Sequence, residues 1–444
     1  MKDSGFTFIG DIPASWDIVR LNTVADLFGR IGWQGLTSDE YSDEGAWLVT
    51  GTDLVNGTVS WDSCVHVPDK RWVEAWQIQL KQGDVLITKD GTVGKVAVVD
   101  NLPGHSSLNS GVMRVARKGR GFDPHYLYYV LQSDVFKGWF EDVNAGASTI
   151  QHLFQGDFNH FVFPWPSLEE QAHISGFLSE ATSALDNEME ILEQQISALE
   201  RYKASLIHEA VTKGLDPSVP TKPSGVEWIG DIPEHWKTSK LKYLKKYFES
   251  GTSVRAAAYP AEGDEIGVLS LSAVFGAVFS PTANKKVDAD ELPRVSCRVR
   301  DGSLIVSRCN TSELVGTAAI VNGRYDNLYL PDKLWQIDFG SKGLNRFIYY
   351  SLLSQAARQY CAIMSVGSSS SMQNISAADF LNMFVVAPGS VEEQQAIADY
   401  LDKRCGKIDA ILDIKHKQID VLKCRRQSLI YEYVTGKRRV FQEA

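Results

Sequence analysis

The sequence predicts an α+β chain. Two pseudo-symmetric domains of mixed strands and short helices are separated by two long helices that form an antiparallel coiled coil. Two observations predict the duplication. Ile9-Gly10-Asp11-Ile12-Pro13, followed by Trp16, returns as Ile229-Gly230-Asp231-Ile232-Pro233, followed by Trp236. Leu168-Glu169-Glu170-Gln171 returns as Val391-Glu392-Glu393-Gln394. A third observation predicts the helices: apolar residues recur every seven positions after each acidic marker. A period of about 220 residues is far longer than the 20–50 residues of a solenoid repeat. It is a whole domain plus a long helix, present twice, with matching scaffolds and different payloads.

The elements follow in order. Phe8 to Pro13 reads as an extended segment leading through Trp16 to a short amphipathic helix near Leu21, Val24, Leu27 and Phe28. Residues 30–165 read as short strands and turns. Ala46–Thr50 and Asp84–Thr88 are β-rich, and Lys95–Val99 follows Gly91 and Gly94 as a strand after a turn. Tyr126–Phe140 is expected as one helix, with Leu127, Val130, Leu131 and Phe136 on one side. A Gly/Ser/Thr-rich loop runs from Asn144 to Gln151, and Pro164-Trp165-Pro166 punctuates the end of this domain.

From residue 168 to 213 the pattern changes. Leu178, Leu185, Leu192, Leu199 and Leu206 keep a seven-residue spacing, with Met189 and Ile196 between them. That is a coiled-coil seam on one long helix, stopped by Gly214 and Pro217. Lys213–Ser224 is a linker. The second half repeats the plan. Trp228–Phe248 is its opening and first helix, Asn345–Tyr360 its later helix, and Gly367-Ser368-Ser369-Ser370-Ser371 its polar loop. The second long helix, 391–435, carries Leu401, Ile408, Lys415, Leu422 and Leu429, with Ile411, Leu412 and Ile419 filling in. The expected domains are therefore 1–166, 167–214, 215–224 as linker, 225–389, and 390–444.

Each seam needs an apolar partner. The first helix has nine acidic and three basic side chains over 169–213; the second has eight acidic and eleven basic over 392–439. Pairing with each other is the simplest arrangement, and pseudo-two-fold symmetry makes it antiparallel.

Composition bounds the function. The 444 residues suffice for two to four domains. Apolar and charged fractions of 44% and 23% are ordinary. No membrane span or signal peptide is expected. The six cysteines lie apart, without CxxC or zinc spacing, and read as reduced thiols of a cytoplasmic protein. The net charge of −10 counts against a uniformly basic nucleic-acid binder, although a local patch is what holds phosphate. Catalytic motifs are missing. No GxGxxG exists, nor an Asn-Pro-Pro-Tyr-like motif, and Gly91-Thr92-Val93-Gly94-Lys95 is too short for a phosphate-cradling loop, with Val96 where Ser or Thr is needed. Pro68-Asp69 and Pro331-Asp332 lack the Glu-x-Lys of a nuclease centre. His66, His105, His125 and His152 lack metal-ligand spacing. No catalytic or metal site is expected.

Several stretches together resemble the specificity (S) subunit of type I restriction–modification enzymes. They are Ser224 through Trp236, the Gly83-Asp84-Val85-Leu86-Ile87 strand with Gly91-Thr92-Val93-Gly94, the Glu-Glu-Gln helix starts, and Tyr433-Val434-Thr435-Gly436-Lys437. The resemblance covers the chain in the family's order of target-recognition domain, spacer helix, target-recognition domain, spacer helix. It implies a non-catalytic subunit whose domains each read one half of a split double-stranded DNA target. It implies helices that set the distance between halves and dock two modification (methyltransferase) subunits, to which restriction (motor/nuclease) subunits can add. S-adenosylmethionine, ATP and Mg²⁺ would belong to those partners and not to this chain. One departure stands out. Thr88-Lys89-Asp90-Gly91-Thr92-Val93-Gly94 becomes Ser307 through Gly316 in the second half, three residues longer and without the glycine pair.

A DNA reader needs side chains for base edges and for phosphate. Candidates in the first domain are Lys89, Lys95, Arg114, Arg117, Lys118 and Arg120, then Ser148, Thr149, Gln151 and His152. In the second they are Arg298, Arg300, Arg308 and Lys333, then Ser369, Ser370, Gln373 and Asn374 within 366–374. Gln and Asn can pair bidentately with adenine, Arg with guanine. A solvated surface and a plain polar connection would use the same residue types. The Gly-Asp-Ile-Pro…Trp segments read as core anchors, and the Glu-Glu-Gln starts as carboxylates complementing helix dipoles. Two rival readings stay open: an adaptor binding proteins through its two variable domains, and, less favoured, a cleaving enzyme. Surface potential separates the adaptor from a DNA reader.

Overall fold

The structure, a computed structural model, describes residues 1–29, 36, 38–119, 121–145, 151–369 and 372–440. The chain divides into two compact units. One comprises Met1–Leu192 with Lys417–Ala444, the other Glu193–His416. Each unit holds a body of strands and short helices and a length of both long helices.

In unit one, a four-stranded antiparallel sheet runs in the order Val96–Val98, Val85–Thr88, Val112–Arg117, Ala25–Gly29. Val85–Thr88 is buried throughout and reads Val-Leu-Ile-Thr because both its faces are covered. Val85 and Ile87 join the main core with Tyr126, Val130 and Phe136. Leu86 joins a second core with Val49, Ala97 and Val112. A smaller sheet pairs Ala46–Val49 with Val65–Val67 antiparallel and with Ser106–Leu108 parallel.

Unit two repeats both sheets strand for strand. The order is Ala318–Ile320, Leu304–Ser307, Leu334–Asp338, Tyr247–Ser250, again antiparallel. Gly267–Leu269 pairs antiparallel with Asn284–Lys286 and parallel with Leu328–Tyr329. A period seen in two short markers is thus a duplication of the whole topology.

Three expectations change. The opening helix is only Leu21–Val24; Leu27 and Phe28 lie in the following strand, Ala25–Gly29. The helix expected over Tyr126–Phe140 is two, Pro124–Gln132 and Asp134–Val143. The one expected over Asn345–Tyr360 is likewise Lys342–Leu353 and Gln355–Met364. The cause is a serine at each break. Ser133 donates to the Val130 carbonyl at 2.7 Å and its oxygen accepts from the Val135 amide, capping the next helix. Ser354 does the same with Ser351 and Ala357.

The repeated markers form one joint in each unit. Trp16 Nε1 donates to Glu170 Oε2 at 2.9 Å, and Trp236 Nε1 to Glu393 Oε1 at 2.9 Å. Ser167 and Ser390 cap the two helices. The second glutamate of each Glu-Glu-Gln start therefore does more than complement a dipole: it holds a fully buried tryptophan. Each indole is met by a helix-ending glycine. Gly436 (φ +67°) lies against Trp16 and Gly214 (φ +77°) against Trp236. A Cβ at Gly436 would stand 2.5 Å from the Pro13 ring, so this close approach requires glycine.

The long helices are Leu168–Lys213 and Val391–Val434. Within unit one, Arg426 Nε meets Asp186 at 2.9 Å. Within unit two, Lys203 meets Asp409 at 2.6 Å, Arg404 donates to the Tyr202 hydroxyl at 2.7 Å, and Lys415 bonds Gln195. Rising numbers on one helix meet falling numbers on the other, so the pairing is antiparallel. Such exposed pairs contribute about 0–1 kcal/mol each; the apolar seam does most of the holding. Leu178, Leu185, Leu206, Leu401, Ile408 and Leu422 are buried, while Leu192, Leu199, Leu429 and Lys415 are half-buried. Ile411, expected to fill the seam, is exposed. Its neighbour Leu412 is half-buried and Ile419, seven residues further on, is buried, so those two positions and not Ile411 line the seam. No helix among the described residues is long and apolar enough to cross a membrane.

Candidate nucleic-acid interface

The candidate residues sort by where the sheets put them. In unit one, the turn after Val85–Thr88 is fixed by the main chain. Lys89 N–H donates to the Gly111 carbonyl at 2.9 Å, and Lys89 C=O accepts from the Leu153 amide at 3.0 Å. Lys89 thus lies between the end of its sheet and the segment that follows the polar loop. Lys95 joins it: its amide donates to Thr88 Oγ1 at 2.9 Å, and its exposed Nζ reaches the Gly51 carbonyl. His152 Nδ1 lies 2.8 Å from Asp90 Oδ1, and Gln151 is exposed beside it.

Unit two builds the same device with different residues. Arg308 N–H donates to the Lys333 carbonyl at 3.1 Å, and Arg308 C=O accepts from the Ile375 amide at 3.0 Å. Arg308 is therefore the counterpart of Lys89, and Lys333 of Gly111. The longer loop closes as the shorter one does: Gly94 N–H donates to Thr88 C=O at 3.1 Å, Gly316 N–H to Ser307 C=O at 2.7 Å. Both glycines have positive φ. The second glycine of the pair thus has an equivalent after all, displaced by the insertion. What was expected as a polar loop is a hairpin, Val366–Ser369 with Met372–Asn374, whose second strand pairs with Cys309–Asn310. Gln373 and Asn374 are thereby fixed beside Arg308. Ser369 contributes the end of the first strand. Arg120, Ser148, Thr149 and Ser370 lie outside the described residues.

Other candidates are not part of this convergence. Arg114 is the clear correction. It is 6% exposed, its Nε bonds Asp84 Oδ2 at 2.6 Å, its NH1 donates to the Gln77 carbonyl, and it lies over the Phe28 ring. A guanidinium so enclosed holds the sheet and does not meet DNA. Asp84 is buried as well, which pushes its carboxyl up, while Arg114 pulls it back. Arg117 and Lys118 are exposed but stand at the far end of Val112–Arg117, about 20 Å or more along the strand from Lys89 at roughly 3.4 Å per residue. Lys118 is also paired with Asp26 at 3.0 Å. In unit two, Arg298 pairs with Asp326, and Arg300 stacks on Tyr247 and pairs with Glu249. Lys89 and Arg308, by contrast, have no carboxylate partner among the described residues.

Asp84→Ala is expected to destabilise unit one by about 3–5 kcal/mol, because it leaves the Arg114 charge buried and unpaired. Asp26→Ala, at the exposed pair with Lys118, should cost under about 1 kcal/mol. Urea titration of both variants checks the contrast. Equal small effects would mean that Arg114 reaches solvent.

Asn310 was missed in the sequence. A two-residue strand, Cys309–Asn310, is too short to read from alternation, and its partner strand, Met372–Asn374, lies more than 60 residues on.

Two duplicated α+β bodies each hold a backbone-fixed cation beside a polar segment, and each is joined to a stretch of paired antiparallel helices. Residues 14–201 match the family described as type I restriction modification DNA specificity domain. The chain is 26% identical over 452 residues to a Methanocaldococcus jannaschii protein named as the MjaX type I restriction enzyme specificity subunit, covering 99% of this chain and 98% of that one. It is 25% identical over 441 residues to the MjaVIII specificity subunit of the same organism, covering 97% and 94%. A solved chain, described under complex assembly and conformational transition of the type I R-M system, superposes with a TM-score of 0.65 at 18% identity, covering 96% of this chain and all of that one. Residues 14–201 are thus similar to the type I DNA specificity domain, and the chain is similar over nearly its whole length to type I restriction enzyme specificity subunits.

Proposed function

We propose that this chain is the non-catalytic DNA-reading subunit of a type I restriction–modification complex in the cytoplasm. Each body reads one half of a bipartite double-stranded target, and the paired helices dock two methyltransferase subunits, to which restriction (motor/nuclease) subunits add. S-adenosylmethionine, ATP and Mg²⁺ are held by those partners. The observation that carries this reading is the equivalence of Lys89 and Arg308. Both units keep an unneutralised cation at the same backbone-fixed position beside a polar segment, although the residues around it differ. Local placement of this kind is compatible with a net charge of −10, since phosphate and base edges meet only the local surface.

The test is the methylome of the host with and without this chain. Removing it is expected to erase one two-part methyladenine motif, and returning it should restore that motif. The purified chain alone should transfer no methyl group and cleave no DNA, with or without Mg²⁺ and ATP. An unchanged methylome, or methyl transfer by the isolated chain, would overturn the proposal.

A further inference from the structure

Leu153 and Ile375 occupy the same place in the two units, each donating its amide to the carbonyl of the turn cation, Lys89 or Arg308. The residues that follow keep step. Phe154-Gln155-Gly156-Asp157-Phe158 in unit one answers Ser376-Ala377-Ala378-Asp379-Phe380 in unit two. Both stretches open a short helix, Gln155–Phe158 and Ala377–Asn382. Phe158 and Phe380 are both fully buried. Beyond them, the carbonyls of Phe161 and Met383 accept from the amides of Leu21 and Leu241. The register therefore holds on both sides of one position where an aromatic ring, Phe154, stands in place of a hydroxyl, Ser376.

Ser376 supplies what that position asks for. Its oxygen accepts from the Asp379 amide at 3.0 Å, and its hydroxyl donates to the Asp379 carboxylate at 2.6 Å, a preferred way to start a helix. Phe154 has nearly the same backbone, φ −75° and ψ 134° against φ −75° and ψ 152°, but no side-chain atom that can cap. Asp157 stands where Asp379 does, so a serine would find its partners in place. Packing does not offset the lost cap, because Phe154 is 62% exposed. A single exposed apolar residue is ordinary. One that displaces a cap and gains no burial breaks two local rules at once, and such conflicts gather at functional sites.

The surroundings narrow what the ring meets. Its centroid lies 5.9 Å from that of His152, whose Nδ1 is 2.8 Å from Asp90 Oδ1 in the turn after Val85–Thr88. Gln151, His152, Gln155, Gly156 and Asp157 are all exposed. A protein interface surrounds an anchoring aromatic with an apolar core. Here the ring stands among polar neighbours, one residue from the backbone bond that fixes Lys89. DNA offers the matching arrangement of an apolar base surface with polar edges and phosphate beside it.

We propose that Phe154 is a base-contacting residue of unit one, its ring laid on the apolar surface of a base in that unit's half-site. This rests on the DNA-reading function proposed above and adds to it a specificity-determining residue. A thymine methyl group in the major groove and the face of a base at an opened step both present such a surface. Neither carries charge, which separates both from phosphate.

The experiment uses the chain assembled with the methyltransferase subunits of its host and duplexes bearing the methylated motif. Phe154→Ser installs the cap found in unit two, so it should raise the thermal midpoint. The same variant should bind the motif about 5- to 150-fold more weakly, with unchanged salt dependence because no phosphate contact is lost. Two labels then identify the surface. Deoxyuridine in place of each thymine removes only the methyl group, and one such replacement that weakens the wild type but not the variant marks a methyl contact. 2-Aminopurine in place of each adenine brightens where a step opens, and brightening that the variant abolishes marks a stacked base. Unchanged affinity of Phe154→Ser, or neither mark, overturns the assignment. So does a midpoint that falls together with affinity, which makes the ring structural. Loss of the methyltransferase subunits with DNA affinity kept would make it a protein contact and overturn it equally. Failure of the underlying reading looks different: the wild-type complex would then bind the motif and a scrambled duplex alike.

Discussion

Exchange of residues 30–165 for the corresponding body of another specificity subunit is expected to rewrite one half of the methylated motif and leave the other half unchanged. The boundaries follow from the fold. Gly29 ends the strand Ala25–Gly29, and Trp165 ends Val162–Trp165, which pairs with Asp17–Arg20. The candidate residues of unit one, Lys89, Lys95, Gln151 and His152 included, travel with the exchanged segment. The joint of Trp16 with Glu170 stays behind. The transplanted body must bring an aromatic residue where Tyr126 stands, because Tyr126 is fully buried and bonds the Pro164 and Val434 carbonyls. Unit two places Phe347 in the corresponding role, edge-on to Trp236. Reading of the other half-site should persist, because Arg308, Lys333 and Gln373 belong to a separate compact unit with its own core. Sequencing of methylated DNA from cells carrying the exchange decides the matter. A motif altered in both halves, or in neither, would show that the halves are not read independently.

How much of this was legible in the sequence depends on the range of the interactions involved. The long helices were, since a seven-residue spacing is local. The duplication was, because Trp16 and Trp236 need the same proline, glutamate and glycine around them and so keep their neighbours. The breaks at Ser133 and Ser354 were not: a serine can sit within a helix or cap the next one, and local apolar periodicity continues across it. Arg114 looked like part of a basic cluster with Arg117 and Lys118. Its burial is decided by Asp84, 30 residues earlier, and by the sheet that brings the two together. The device at Lys89 and Arg308 was hidden for the same reason, since its partners Gly111, Leu153, Lys333 and Ile375 are neighbours only once the strands pair. Arg298 and Arg300, also candidates, are likewise neutralised by Asp326 and Glu249.

Val434→Asp is expected to unfold unit one, although the substitution lies some 300 residues from most of that unit's sequence. Val434 is fully buried and packs in the core that contains Trp16, Tyr126 and Phe163, together with Ile430 and Tyr433. Its carbonyl accepts from the Tyr126 hydroxyl at 3.2 Å. The end of the second long helix thus completes the core of the first body, just as Leu206, Ile207, Ala210 and Val211 complete the core of unit two. A carboxylate placed there loses its water without gaining a cation, and the side chain it replaces was contributing about 1.5–3 kcal/mol by burial. The combined loss should exceed about 4 kcal/mol, a large share of the roughly 5–15 kcal/mol that holds a domain folded. Val211→Asp makes the same change at the corresponding place in unit two, where Val211 is 3% exposed. Hydrogen exchange read by mass spectrometry tells the two apart. Val434→Asp should deprotect the strands Val85–Thr88 and Val112–Arg117 while Leu304–Ser307 stays protected, and Val211→Asp should do the reverse. Loss of protection confined to the helix around the substituted residue would mean that each body is stable without the helix end packed into it, and that the two buried valines are not part of its core.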